Sequence, residues 1–67
     1  ALYTFKFIVP ETKIKELKIL FEGHEIIEKA SSKGNYISLT SIVMAPSSHW
    51  IIEIYVKASK IDGIISL

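Results

Sequence analysis

A turn-forming stretch in the middle of the chain divides it into two halves of similar pattern. Residues 31–38 read Ser-Ser-Lys-Gly-Asn-Tyr-Ile-Ser. Gly34 and Asn35 tolerate positive φ, and the two serines can hydrogen-bond to nearby backbone. Apolar alternation resumes directly after the turn. We therefore predict a β-hairpin with its turn near residues 32–35, which joins a second strand to a third.

The residues before this hairpin predict a strand, a helix and a further strand. Residues 2–9 alternate, with aromatic and β-branched side chains on one face, which is typical of a strand. Residues 13–22 repeat apolar side chains at helical spacing, with Thr12 as a candidate N-cap and Gly23 just past the end. Residues 24–30 form a short run rich in charges, which suits the edge of a sheet.

The residues after the hairpin predict a strand, an ambiguous segment and a short final strand. Residues 36–44 alternate as a third strand. Residues 49–60 fit a strand by their β-branched alternation, and they fit a helix because their apolar side chains form one continuous face. Ser47 and Ser48, which can cap a helix, and the lysines near its end favour the helix. Residues 64–67 complete the pattern as a fourth strand.

This order of elements predicts one fold class. It indicates an α+β, ferredoxin-like βαββαβ sandwich with a four-stranded antiparallel sheet and both helices on one face. The first and third strands, which are the most apolar, should be central. We expect residues 1–67 to form a single ferredoxin-like domain. Because the chain lacks cysteine and is short, its stability must come from apolar packing, to which self-association could add.

The central stretch also carries a resemblance to a known family. The run Ser-Ser-Lys-Gly-Asn-Tyr at 31–36, then an alternating strand, a helix and Lys-Ile-Asp at 60–62, resembles the YbeD-like family of small uncharacterised bacterial proteins. The strand around residues 5–8 is compatible. The resemblance implies a ferredoxin-like fold similar to ACT regulatory domains, and a helix at 49–60. It implies no catalytic residue and, for one branch of the family, a regulatory role linked to lipoate metabolism.

Charge and composition disfavour nucleic-acid and membrane partners. The net charge is +1, and all eight cations are lysine, whereas arginine is the usual reader of phosphate and guanine. Residues 33–39 superficially resemble an RNA-recognition submotif, but Asn35 and Ile37 stand where base-stacking rings are needed. No apolar run approaches the roughly 20 residues of a membrane span, and no signal peptide is visible. We expect a cytoplasmic protein.

The residues that could perform chemistry do not form a constellation in the sequence. The serines cluster in turns and at a helix start, and the chain has no Gly-x-Ser-x-Gly motif. His49 and Glu53 lie four apart on the predicted helix and could supply two metal ligands, but no third ligand is near them. We therefore expect a non-enzymatic protein with no metal and no cofactor.

The candidate binding residues lie on the sheet face that the helices leave uncovered and in the hairpin. Exposed apolar groups on such a face often mark an interface. A register shift of one residue in the third strand would instead make this face the core. For the hairpin residues, turn chemistry is the alternative to a binding role. The candidates are Lys6, Ile8, Lys33, Asn35, Thr40, Ile42 and Met44.

Two functional hypotheses follow. The first is a small bacterial domain that acts by protein binding or self-association, as a dimer or higher oligomer or with another protein. The second is an ACT-like regulatory module that senses a small molecule. An ACT-type ligand site would lie at residues 9–13, where Pro10 offers no N–H and Glu11 would repel a carboxylate. A sensing module would therefore need a different kind of ligand.

Overall fold

The computed structural model describes residues 2–31 and 34–67 of the chain. The elements follow the predicted βαββαβ order, with one 3-10 turn at Glu11–Lys13 before the first helix. They are β1 (Leu2–Pro10), α1 (Ile14–Leu20), β2 (Ile27–Ala30), β3 (Tyr36–Met44), α2 (Ser48–Ala58) and β4 (Ile65–Ser66).

The four strands form one antiparallel sheet in the order β2-β3-β1-β4. This order confirms that the first and third strands are central. β1 and β3 pair along their whole length, from Leu2 opposite Met44 to Pro10 opposite Tyr36. The edge strands are shorter, because β2 contributes four residues and β4 two. One end of the sheet is therefore only two strands wide.

Both helices pack on one face of the sheet and enclose the core. Phe5 and Phe7 of β1 are fully buried there, which confirms that the aromatic face of this strand belongs to the core. β3 turns Leu39 and Val43 to the same side, so the structure does not have the one-residue shift that would have buried Ile42 and Met44. The remaining buried apolar residues are Val9, Leu17, Phe21, Ile54, Ala58 and Ile61.

The start of the first helix differs from the prediction. β1 continues to Pro10, whose backbone angles (φ −58°, ψ 143°) lead directly into the 3-10 turn. Thr12 lies inside that turn, so its hydroxyl does not cap a helix, and α1 begins only after Lys13 with no side-chain cap. The predicted N-cap was therefore wrong. Gly23, at φ +85°, does take the left-handed conformation predicted for it.

The second helix confirms the helical interpretation of the ambiguous segment. Ser47 is its N-cap, and the Ser47 Oγ accepts a hydrogen bond from the Trp50 N–H at 3.1 Å. The edge strands are shorter than predicted, since residues 24–26 lie outside β2. The chain there is held instead by the Ser41 Oγ, which donates to the Glu25 carbonyl at 2.8 Å.

The hairpin between β2 and β3 is closed by its backbone and by one serine. The Ser31 N–H donates to the Tyr36 carbonyl at 2.8 Å, and the Gly34 N–H donates to the Ser31 carbonyl at 3.0 Å. The Ser31 Oγ also accepts from the Tyr36 N–H at 3.3 Å. Gly34 adopts a φ of +72°, as a turn glycine should. The predicted turn residues 32 and 33 lie outside the described part of the chain.

Candidate functional site

The sheet face turned away from the helices is the candidate functional site. We call it the open face. Strand residues alternate between the two faces of a sheet, so the register assigns each one to a side. The open face comprises Leu2, Thr4, Lys6 and Ile8 of β1, Ile27 and Lys29 of β2, Tyr36, Ser38, Thr40, Ile42 and Met44 of β3, and Ile65 of β4, with Leu67 just beyond it.

Most of the large apolar side chains that the protein exposes lie on this face. Burying one side chain of this size completely removes roughly 100 Å² of apolar surface from water. With 46–69% of each side chain exposed, the set presents on the order of 400 Å², comparable to the largest patch on a typical monomer. Its members are Leu2, Ile27, Tyr36, Ile42, Met44, Ile65 and Leu67.

The structure brings most of the predicted binding residues together. Lys6, Ile8, Thr40, Ile42 and Met44 all lie on the open face, with Lys6 directly opposite Thr40 in the ladder. Whether they bind anything stays a prediction.

The two candidates in the hairpin, Lys33 and Asn35, are not among the described residues of the open face. Asn35 is exposed in the hairpin, away from the strands of the face, and its carbonyl accepts a hydrogen bond from the Glu11 N–H at 3.0 Å. That bond ties the hairpin to the end of β1. Lys33 lies outside the described residues.

Sequence reasoning missed part of the open face. Ile27 lies opposite Thr40, and Ile65 lies opposite Ile8, so both belong to it. Their strands contain only four and two residues, too few for alternation to show which side faces the helices. The sequence did show that Ile27 and Lys29, two residues apart, share one side of β2.

A row of polar side chains crosses the apolar open face. Lys29 on β2 lies opposite Ser38 on β3, and Lys6 on β1 lies opposite Thr40 on β3. Ser38 and Thr40 are two residues apart, so the four side chains form a diagonal band over three strands. We call this band the cationic strip. Among the described strand residues of the open face, no carboxylate accompanies it, because Glu28 points to the helix side and pairs with Lys18 at 2.7 Å.

Two shallow cavities lie at opposite ends of the central strands. A groove of about 320 Å³ lies at the hairpin end, lined by Ile8, Lys29, Ala30, Ser31, Tyr36 and Ser38. A cavity of about 250 Å³ lies beside the start of α2, lined by Leu2, Tyr3, Ala45, Pro46, Ser47, Ser48 and Ile51. The first shares Ile8, Lys29, Tyr36 and Ser38 with the open face and two of these with the cationic strip. It therefore extends the candidate site toward the hairpin.

The side chains elsewhere offer little for acid–base or metal chemistry. Burial and a hydrogen bond with Tyr3 raise the pKa of Tyr55 to about 12, so this phenol keeps its proton at ordinary pH. The His49 Nε2 lies 4.0 Å from the Glu53 Oε2, and both side chains are exposed. Within residues 2–31 and 34–67, no three His, Cys, Asp or Glu side chains are grouped as metal ligands would be. None of the helices in these ranges has the length and apolar character to span a bilayer.

Comparison with known proteins supports the fold. No protein-family profile matches the sequence, and none of the curated proteins matches it. The resemblance to YbeD-like proteins therefore stays a prediction. Among solved structures, the chain is similar to the crystal structure of a "putative PII-like signaling protein" from Thermus thermophilus. The TM-score is 0.53 at 20% identity, covering 98% of this chain and 84% of the other. A likeness at this identity concerns the fold alone, and the chain shares with the Thermus protein a small α+β fold of the ferredoxin-like type.

Proposed function

We propose that the protein is a small non-enzymatic binding domain that acts by self-association, burying its open face against a second copy of the chain. The observation that carries the proposal is the set of large apolar side chains exposed on that face. Seven of them occupy one side of a single small sheet, and isolated exposed apolar residues would not be grouped in this way.

The dimensions of the sheet suit a modest interface. Strands of nine residues at about 3.4 Å per residue, and neighbours about 4.8 Å apart, give a face of roughly 30 by 15–20 Å. Allowing for side-chain relief, this is about 600 Å² per copy, the lower end of the sizes of specific interfaces. Two sheets can pack face to face about 10 Å apart with their side chains interdigitated. We therefore expect a reversible association that depends on protein concentration.

The small size of the core favours a second copy as the occupant. Ten apolar residues are buried in the described part of the chain, and a chain of this length buries only about 60% of the surface of its unfolded form. A second copy would convert the two-layer domain into a four-layer assembly with a second apolar interior. Lys29 lies on the edge strand, so its long stem can carry its charge out to the rim.

A pair of matched substitutions tests the proposal. Ile42 on the open face and Ile52 on the outer side of α2 are similarly exposed, at 55% and 58%. We expect Ile42→Glu to weaken self-association at least tenfold in sedimentation velocity, since it would place a charge in the interface. Ile52→Glu should leave it unchanged. A wild-type chain that stays monomeric at high concentration would contradict the proposal, as would equal effects of the two substitutions.

A small-molecule-sensing module is the second candidate, and the groove at the hairpin end favours it. Its volume of about 320 Å³ is at the lower end of ligand pockets. An ACT-type site at residues 9–13 fits poorly, because Pro10 has no N–H and that of Glu11 already donates to Asn35. Thermal-shift measurements with amino acids, lipoate and nucleotides test this alternative. A ligand at a hundredfold its dissociation constant stabilises the native state by about 2.7 kcal/mol. No shift with any of them would argue against a sensing role.

We further infer that residues 1–67 act as one cytoplasmic domain and are related to the YbeD-like proteins of bacteria. The single core, to which both halves of the described chain contribute, supports the first inference. The Ser-Ser-Lys-Gly-Asn-Tyr run at the β2–β3 hairpin supports the second. A sequence profile built from relatives of this chain tests the relationship, which fails if YbeD-like sequences do not align across the hairpin and α2.

A further inference from the structure

The described strand residues of the open face place no carboxylate side chain beside the cationic strip, whereas two lysines outside that face have acidic partners. Lys18 pairs with Glu28 at 2.7 Å, and Lys13 approaches Glu16 at 3.4 Å. Within residues 2–31 and 34–67, neither Lys6 nor Lys29 forms such an ion pair. An anion that contacts the strip would therefore meet two ammonium groups that no carboxylate side chain of these strands engages.

We propose that the open face binds a small amphipathic anion across the cationic strip, namely an apolar body that carries a carboxylate, sulfonate or phosphate group. This inference goes beyond self-association and does not depend on it. The ligand would occupy the same side chains as a second copy of the chain. Its binding would therefore oppose self-association by mass action.

The geometry of the strip suits a single anionic group. Lys6 and Lys29 lie two strands apart across the sheet, and their partners Thr40 and Ser38 are two residues apart along β3. The Cα atoms of the two lysines are therefore about 12 Å apart. Two flexible lysine stems can converge on one anion from that distance. The hydroxyl of Thr40 lies on the strand between them and can donate to the same group. The Ser38 hydroxyl donates to the Lys29 carbonyl at 3.3 Å, so it would have to exchange that bond to contribute.

The surroundings of the strip supply the apolar part of the site. Ile27 and Ile42 flank the strip on the sheet, and Ile8, Ala30 and Tyr36 line the adjoining groove. The groove volume of about 320 Å³ suits a ligand of two or three rings.

Two dyes with the same rings and different charge test this inference. 1-Anilinonaphthalene-8-sulfonate carries a sulfonate, and N-phenyl-1-naphthylamine is its neutral analogue. Fluorescence titrations of the full chain should give roughly tenfold tighter binding of the anionic dye, as for a hydrogen bond to a charged group. The preference should shrink between 0.1 M and 1 M salt, where the screening length falls from about 10 Å to about 3 Å.

Matched double substitutions locate the binding. Lys6→Gln with Lys29→Gln should abolish the preference for the anionic dye, whereas binding of the neutral dye stays the same. Lys15→Gln with Lys57→Gln removes the same charge from exposed helix positions and should keep the preference. All four positions are exposed, so each variant should retain the wild-type melting temperature.

The outcomes separate this inference from the proposed function. Equal affinity for the two dyes, or equal loss in both double variants, would overturn anion binding at the strip. Sedimentation without dye reports self-association independently. A monomeric chain with a strip-dependent preference would refute self-association alone, and an associating chain without the preference would refute the anion site alone.

Discussion

Tyr3 on β1 and Tyr55 on α2 share a hydrogen bond between their hydroxyl groups, with an oxygen–oxygen distance of 2.8 Å. Their rings meet edge to face, with centroids 6.3 Å apart. Both rings also pack near Phe5, whose centroid lies 4.8 Å from that of Tyr3 and 5.3 Å from that of Tyr55. The pair therefore joins the first strand to the second helix at the border of the core.

Because of this hydroxyl pair, we expect the free energy of unfolding to decrease as the pH rises into the alkaline range. Tyrosine has a pKa near 10 in an unfolded chain, and in the folded chain burial and the Tyr3 bond raise the pKa of Tyr55 to about 12. Between these values the unfolded state loses the proton that the folded state keeps, so the free energy of unfolding falls as pH rises. The contribution of Tyr55 should be complete below about pH 10 and lost by about pH 12.

Urea unfolding at pH 8, 10 and 11 measures this effect. The informative quantity is the difference between the wild-type chain and Tyr55→Phe, because this substitution removes the Tyr55 hydroxyl alone. The free energy of unfolding should fall less steeply with pH in the variant. Parallel curves for the two proteins would show that the phenol of Tyr55 does not carry the dependence.

Gly63 should tolerate alanine less well than Gly34. Both have positive φ, +80° and +72°, which costs an L-residue about 1–2 kcal/mol. At Gly63 an added Cβ would also lie 2.8 Å from the Pro10 Cγ, whereas at Gly34 no atom of the described residues lies within 4 Å of it. We expect Gly63→Ala to cost about 1 kcal/mol more than Gly34→Ala in chemical denaturation, since Pro10 would have to move. Equal costs would mean that the proline shifts freely.

Ser41 should contribute to stability through its hydroxyl. It is 1% exposed, and its Oγ donates to the Glu25 carbonyl at 2.8 Å. Ser41→Ala should lower the free energy of unfolding by about 1 kcal/mol, because that carbonyl loses its donor. Ser38→Ala is the control, since the Ser38 Oγ makes a longer and more exposed bond to the Lys29 carbonyl at 3.3 Å. A loss at Ser38 as large as at Ser41 would contradict this explanation.

The contribution of the α2 N-cap can be measured by comparing Ser47 with its neighbour Ser48. Ser47→Ala removes the acceptor of the Trp50 N–H and should destabilise the protein by about 1 kcal/mol. Ser48 is the first residue of the helix and does not cap it, so Ser48→Ala should change stability by less than about 0.5 kcal/mol. Thermal melts followed by circular dichroism would compare them, and the reverse order would place the cap at Ser48.

The long elements of the fold could be predicted from the sequence because their patterns repeat several times. β1 and β3 show period-two alternation over nine residues each, and the division of their side chains into two faces was predicted correctly, although which face of β3 is buried was left open. For residues 49–60, β-branched composition favoured a strand and the capping serine favoured a helix. The structure has a helix there. Ser47 caps it, and the apolar face from Trp50 to Ala58 packs against the core without any pairing to a neighbouring strand.

The prediction that was wrong concerns the boundary between a strand and a helix. Thr12 has the chemistry of an N-cap, but Pro10 remains in β1 and leads the chain into a 3-10 turn first. The open face was only partly predicted for a related reason. Ile42 and Met44 follow from the alternation of a long strand, whereas Ile27 and Ile65 join the face only through pairing with Thr40 and Ile8.

The pairing of β1 with β3 leaves the protein dependent on α2 to cover one side of its sheet. This ladder, α1 and β2 involve only residues up to Met44. Ile54, Ala58 and Ile61, which close the helix side of the core, lie in the last third of the chain. A chain in which α2 has not docked exposes apolar side chains on both faces of its sheet. Detachment of α2 would therefore make the protein more prone to aggregate than the folded domain.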